Sequence, residues 1–326
     1  MRRYAAKDRA EILAEHLEEQ FTLHPASDSH SIVRHHEEIE HRVREFLSAP
    51  IPSLLGDYYV SPTETRSIFR LPKRKAPGPD WTPTIAIKQL LRRAMVAMTR
   101  LFNGILRTGH FPACWKTGCV IAIPKAGKDP RLASSQRQIT LLSHIVKLFE
   151  RVLLPRLLRH LTPKQEQFGF RSDTLPRSSV RPSVAPGLLY KLIENWIPPA
   201  SFLKRPCGLL RNSRGRDLGP ASHQSRVPQG SCLSPCLYAV YTDDIPTLTN
   251  QLQHWEEDVV LALYADDSAY FASSRRADLA AAKIQRILDL LPEWLDKWRV
   301  AVNITKTAAL LTGQQRTIPP KLRFRG

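Results

Sequence analysis

LALYADDSAYFA, residues 261–272, sets two aspartates side by side inside an otherwise apolar run. Val259, Val260, Leu261, Leu263 and Tyr264 precede Asp266 and Asp267; Tyr270 and Phe271 follow them. The pattern reads as two strands around a tight turn, a β-hairpin with carboxylates at its tip. Adjacent anions in a core-like setting repel each other and resist desolvation. A divalent cation offsets both costs, and a rigid hairpin can hold carboxylates where Mg²⁺ meets a nucleoside triphosphate. A second pair, Asp243 and Asp244 in YTDDIP, sits at an expected helix end with no apolar strand after it, and reads as structural.

The charge of the chain suits the same chemistry. Its 326 residues carry a formal net charge of +18, unevenly spread. Residues 1–50 hold 7 Lys/Arg and 10 Asp/Glu, so the remainder carries +21. A surplus of that size is the footprint of a polyanion binder. At 42% apolar the chain can bury a proper core. The five cysteines (Cys114, Cys119, Cys207, Cys232 and Cys236) follow no zinc or disulfide framework and read as free thiols in a reducing compartment. The opening MRRYAAKDRAEILAEH lacks an apolar h-region, and no apolar run approaches the roughly 18 residues of a membrane span. The expectation is a protein of cytoplasm and nucleus, away from membranes.

Around the hairpin the chain alternates helical and strand-like texture. Residues 7–22 and 31–48 read as amphipathic helices, the second with Ile32, Ile39, Val43, Phe46 and Leu47 on one face. SPTETR, from 61, is a helix start. A helix is expected through roughly 84–108, a strand at GCVIAIPK (118–125), and mostly helix over 139–161 with a break or kink at Pro155. GLLYKLIENW (187–196) is helical, as are CLSPCLYAVY and residues 277–301. VNITKTAALLTG offers a final strand. The class is α+β.

Other motifs fall beside these elements. IPKAGKDP (123–130) puts Lys125 and Lys128 just after a strand, with Arg137 beyond. Lys and Arg there suit a triphosphate, although each alone would read as a solvated surface residue or an ion-pair partner. A P-loop is excluded, because Gly127-Lys128 is followed by Asp129 and lacks the earlier glycine. VPQGSCLSP (227–235) supplies a turn whose backbone can approach a ligand, with Gln229 able to bond a base or sugar edge. RLPKRK (70–75) reads equally as a nuclear-localisation patch or as a basic loop touching nucleic acid.

In order, RKAPGPDW, FPACWKTGCVIAIPKAGKDP, RQITLLSHIVKLFERVL, EQFGFRS, RVPQGSCLSPCLYAVYTDDIP, LALYADDSAYFA and LPEWLDKWRVAVNITKTAALLTG resemble the reverse transcriptase domain of non-LTR retrotransposons, most closely the jockey-like elements. The resemblance covers roughly 70–171 and 226–313. It implies a right-hand polymerase fingers–palm fold: an N-terminal helical extension (1–69), a fingers-like region (70–171), a palm segment that reads as degenerate or deleted (172–226) and a palm remnant with the catalytic hairpin (227–326). It implies RNA-directed DNA polymerase activity, a nucleotidyl transfer using two Mg²⁺ ions, an RNA template, a DNA primer and deoxynucleoside triphosphates. Lys125, Lys128 and Arg137 would lie near the triphosphate, and Gln229 and Gly230 would border nucleotide and template. Asp266 and Asp267 would be metal ligands and catalytic, and Lys306 in NITKT a proton donor to pyrophosphate.

One part of the family pattern is missing. The first palm strand, with its aspartate, belongs between EQFGFR and GLLYKLIE, where only SDTLPRSSVRPSVAP stands. From 171 to 226 the acids are Asp173, Glu194 and Asp217, none embedded in a strand-like run. The expectation is therefore an incomplete palm sheet and metal site, from an internal deletion, in a chain cut short before the thumb at IPPKLRFRG. Its activity is expected to be weak or absent. The alternative is a non-catalytic basic remnant that binds nucleic acid.

Overall fold

A computed structural model of the chain describes residues 11–16, 29–50, 59–66, 75–161, 166–167, 185–195, 231–247, 259–264, 267–312 and 319–324. Its elements are α1 (His30–Ser48), α2 (Pro62–Thr65), α3 (Thr84–Lys88), α4 (Arg92–Thr108), β1 (Cys119–Pro124), β2 (Gln136–Leu141), α5 (His144–Leu158), α6 (Ala185–Asn195), α7 (Ser234–Tyr241), β3 (Val259–Tyr264), β4 (Asp267–Ala272) and α8 (Ala277–Lys297). Residues 11–16 are also helical. This mixture of helices and small antiparallel sheets is the α+β class the sequence predicts. Two compact units divide the chain: unit 1 takes 1–22, 41–162 and 179–237, and unit 2 takes 23–40, 163–178 and 238–326.

Unit 1 is organised by α4 and α5. Met95, Met98, Phe102, Ile105 and Leu106 fall on one face of α4 and are buried. Phe102, Phe111, Trp115 and Phe149 meet with ring centroids 5.1–6.2 Å apart, in tilted and edge-on arrangements. Each such aromatic pair adds roughly 0.5–1.5 kcal/mol beyond the area it buries. α4 stops at Gly109, whose φ of 68° lets its N–H reach the Ile105 carbonyl at 2.9 Å. α2 begins with a capping box at Ser61: the hydroxyl accepts from Glu64 N–H, and the Glu64 carboxylate accepts from Ser61 N–H. The buried Arg156 guanidinium joins these elements, donating to Glu64, to the Tyr59 carbonyl and to the Val152 carbonyl.

Several expectations are corrected here. The helix expected over 84–108 is two helices, because Leu91 takes an extended backbone and acts as the N-cap of α4. Residues 139–141, the start of the helical expectation over 139–161, belong instead to the strand Gln136–Leu141, which pairs antiparallel with β1 from Cys119↔Leu141 to Pro124↔Gln136. A short apolar run does not separate strand from helix by periodicity, and here the neighbouring strand decides. α5 starts only after Ser143, whose hydroxyl accepts from Ile145 N–H, and it runs on through Pro155.

Unit 2 is built on α8 and the β3–β4 hairpin. Ile287, Leu291, Trp294 and Leu295 form the buried stripe of α8, which packs against β4. Val259, Leu261 and Leu263 are buried on alternate positions of β3, as a half-covered strand requires. The strand expected at 302–313 is absent over its described part. Asn303 instead accepts the Lys306 N–H at 3.1 Å in a 3₁₀ turn, and residues 301–311 stay exposed. Alternation alone cannot hold a strand that has no paired edge. Among the described residues no helix is long and apolar enough to cross a membrane.

Gly78 shows how tightly unit 1 is assembled. A Cβ there would stand 2.4 Å from the Ser143 nitrogen and 2.6 Å from the Leu142 carbonyl carbon, both backbone atoms. Gly78→Ala is therefore expected to destabilise by about 1–3 kcal/mol. Gly104→Ala, where an added Cβ meets nothing within 4 Å, should stabilise α4 by up to about 1 kcal/mol. Thermal melts of the two variants check this pair, and equal effects would refute it.

Candidate functional site

The aspartate hairpin forms as its sequence implies. β3 and β4 pair antiparallel from Val259↔Ala272 to Tyr264↔Asp267. That register leaves a two-residue link, Ala265 and Asp266, which lies outside the described residues. Asp267 opens β4 and is exposed. On the β3 side, Leu263 N–H donates to the Glu166 carbonyl at 2.9 Å, and Gln167 bridges Leu263 in parallel sense. EQFGFRS therefore begins beside the hairpin, in unit 2. Tyr270 anchors the hairpin by donating its hydroxyl to the Pro246 carbonyl at 3.1 Å, and burial pushes its phenol well up.

The second aspartate pair has a different setting. Asp244 accepts the Trp294 indole N–H at 2.9 Å, which ties the exit of α7 to α8. Tyr241 donates to the Trp298 carbonyl in the same unit. Among the described residues no group of three or more His, Cys, Asp or Glu gathers to hold a metal ion. Of the two hairpin carboxylates Asp267 is described and exposed, while Asp266 lies outside the described residues.

The basic residues lie on the other hairpin, in unit 1. Lys125 N–H donates to the Ser135 carbonyl at 2.8 Å and closes the β1–β2 loop. Its ammonium turns back to the Ser134 carbonyl at 2.7 Å. Lys128 is exposed in the same loop, where Gly127 adopts a φ of 71° and the Asp129 carboxylate accepts from Arg131 N–H at 2.9 Å. Arg137 is exposed on β2, opposite Ile123. The hairpin thus brings Lys125, Lys128 and Arg137 to one end of a small sheet. Lys306 is exposed in the 3₁₀ turn of unit 2. Gln229 and Gly230 lie outside the described residues.

Residues 183–319 match the reverse transcriptase (RNA-dependent DNA polymerase) family. Along 92% of its length the chain is 29% identical to the RNA-directed DNA polymerase from mobile element jockey of Drosophila melanogaster. The corresponding Drosophila funebris protein is 30% identical over 93% of this chain. The probable RNA-directed DNA polymerase from transposon X-element of Drosophila melanogaster is 29% identical over 95%. This chain is related to the jockey-like reverse transcriptases of non-LTR retrotransposons. It spans 36–37% of the length of these relatives. The family match runs through 183–226, the stretch whose texture reads as degenerate, as well as through the YADD hairpin.

In this reverse transcriptase relative the sequence reading missed one residue, Glu150. It lies on α5 inside KLFERVL, is 1% exposed, and reaches Ser231 and Cys232, where the VPQGSC sequence enters the described residues. Ser231 donates its hydroxyl to Oε1 at 2.7 Å, and Cys232 donates its backbone N–H to Oε2 at 2.6 Å. Ser231 Oγ in turn accepts from Leu233 N–H at 3.1 Å, which sets the approach to α7. Burial pushes the Glu150 carboxyl up to about 7, against the opposing pull of the Cys232 N–H, the Ser231 hydroxyl and Lys147. The same burial lowers Lys147 and raises the thiols of Cys232 and Cys236, the latter to about 12. Cys114, Cys119, Cys232 and Cys236 are free, as expected. An acid embedded in an apolar helix was the available signal for Glu150.

The shift at Glu150 fixes the sign of a pH effect. The unfolded carboxyl ionises near 4.5 and the folded one near 7, so the folded chain holds the extra proton between these values. Its contribution is fully present below about 4.5 and is lost as pH rises to about 7. Glu150→Gln keeps one acceptor and one donor without ionising. Relative to this variant, the wild-type melting temperature should fall across that window and level off above it. Glu150→Ala should destabilise at every pH by leaving Ser231 and Cys232 unmatched. Parallel pH profiles for wild type and Glu150→Gln would contradict the assignment.

Proposed function

We propose that this chain is the fingers–palm portion of an RNA-directed DNA polymerase with strongly impaired catalysis. The observation that carries the reading is the antiparallel hairpin of residues 259–272, with its two-residue link, inside the reverse transcriptase match. The reaction joins a primer 3′-oxygen to the α-phosphorus of a deoxynucleoside triphosphate and releases pyrophosphate. Lys128 and Arg137, with Lys125 behind them, neutralise the triphosphate. Gln229 and Gly230 border the nucleotide and template, and Lys306 returns a proton to pyrophosphate. Asp266 and Asp267 are the carboxylates of the hairpin tip, where the family's Mg²⁺ belongs.

The impairment follows from the sequence between 171 and 226. A two-metal site needs carboxylates from two strands, and that stretch places Asp173, Glu194 and Asp217 in no strand-like context. Lost positioning alone costs on the order of 100-fold in rate. The second reading, a nucleic-acid-binding remnant without catalysis, keeps the basic surface and drops the reaction. Both readings require a polyanion partner, which the +21 carried by residues 51–326 supports.

Primer extension on an RNA template, with Mg²⁺ and deoxynucleoside triphosphates, separates them. The expected result is salt-sensitive RNA binding, with log K falling by about 0.7 per phosphate neutralised, and extension that is slow or undetectable. Slow extension lost in Asp266→Ala supports an impaired polymerase. Extension that is undetectable, with binding intact, supports the remnant. Rapid extension abolished by Asp266→Ala refutes impairment, and no RNA binding at low salt refutes both readings.

A further inference from the structure

Trp81 combines two local costs. It is 80% exposed, the most exposed of the large aromatic side chains described. Its φ is 53°, a left-handed backbone that among the described non-glycine residues only Arg299 shares. That conformation costs roughly 1–2 kcal/mol for a residue with a Cβ. An exposed indole also forgoes the stabilisation of burial.

The turn that presents the ring is fixed from below. Gly78 abuts the Leu142–Ser143 backbone so closely that no side chain fits. The Asp80 carboxylate accepts the Ser143 hydroxyl at 2.6 Å. Trp81 N–H donates to the Gly78 carbonyl at 3.0 Å, and the Thr82 hydroxyl donates to the Asp80 carbonyl at 3.2 Å. The ring therefore stands on a preorganised support, and little ordering entropy is left for a ligand to overcome.

The surroundings identify the ligand class. Lys75, Lys88, Arg92 and Arg93 lie within 12 residues of Trp81, and Asp80 is the only acid between 75 and 108. Ile85 and Leu91, 53% and 77% exposed, add apolar surface to the same stretch. A flat, exposed aromatic in a stretch of sequence that repeats cations matches a chain of stacked bases and phosphates. A protein partner docking on the apolar side chains would leave those cations unmatched. α3, at five residues, offers no amphipathic face of the length that lies on a membrane.

We propose that Trp81 is a stacking platform for an unpaired base of a single-stranded polynucleotide whose backbone Lys75, Lys88, Arg92 and Arg93 neutralise. This deepens the polymerase reading and rests on it. Trp81 occupies the loop of RKAPGPDW, so the ring would grip a single strand at the fingers-like region.

The test uses the full chain and two fluorescein-labelled oligomers, U20 RNA and dT20, followed by anisotropy at low and moderate salt. Trp81→Gly relieves the left-handed strain while removing the ring. It should weaken binding of both oligomers about tenfold, keep the salt slope and leave the melting temperature unchanged or higher. Trp81→Phe should lose less affinity. Arg92→Ala with Arg93→Ala should instead flatten the salt slope, by about 0.7 for each contact removed. Wild-type affinity in Trp81→Gly overturns the proposal, and so does a melting temperature that falls together with affinity. If wild type binds and Trp81→Gly binds equally well, only the platform is refuted. If wild type binds neither oligomer at low salt, the polymerase reading fails as well.

Discussion

A single buried carboxyl, Glu150, joins segments that lie 81 residues apart in the chain. Its two oxygens take the Ser231 hydroxyl and the Cys232 N–H, and these groups begin the approach to α7. Buried polar groups are tolerated when every one has a partner. Here that condition constrains two elements at once: α5 must present Glu150 inward, and the chain after VPQG must enter α7 from one direction. The aromatic cluster around Phe149 packs the same stretch of α5 from its apolar side. Unit 1 thus gains directional specificity from Glu150 and bulk stabilisation from its neighbour in sequence.

Unit 2 uses the same division of labour. The α8 stripe of Ile287, Leu291, Trp294 and Leu295 supplies buried area. Polar groups then orient what the stripe holds: Trp294 to Asp244, Tyr241 to the Trp298 carbonyl, and His36 between the Lys297 carbonyl and the Arg299 guanidinium. Burial and the nearby Arg299 both hold His36 toward its neutral form, in which one ring nitrogen can donate while the other accepts. The basic hairpin of unit 1 shows the contrast. Its loop is ordered almost wholly by its own backbone carbonyls and by Asp129, which leaves Lys128 and Arg137 at the surface.

Much of this was legible in the chain. The β3–β4 hairpin followed from apolar alternation broken by two carboxylates, α8 from its period of 3.6, and α2 from the helix start at SPTETR. What stayed hidden was decided by neighbours. QRQITL became a strand because CVIAIP lies alongside it, and NITKT became a 3₁₀ turn because no described strand does. Leu91 ended one helix and started another through its backbone conformation, which leucine does not advertise. At the candidate site, residue type and order gave the lysines, the arginine and the hairpin aspartates. Glu150 escaped because a single acid in a helix is ordinary until its burial is known. The left-handed backbone of Trp81 escaped because indole side chains carry no preference for it.

The register of the β3–β4 hairpin sets a limit on how such a sequence can drift. Tyr264 faces Asp267 with only two residues between them. One residue gained or lost within either strand would invert every side chain beyond it, sending Val259, Leu261 and Leu263 toward water. Substitutions can accumulate on the outward positions, such as Val260 and Phe271, without moving the aspartates. Insertions and deletions cannot. The apolar side of the hairpin therefore polices its length, and with it the spacing of the residues on either side of the two aspartates.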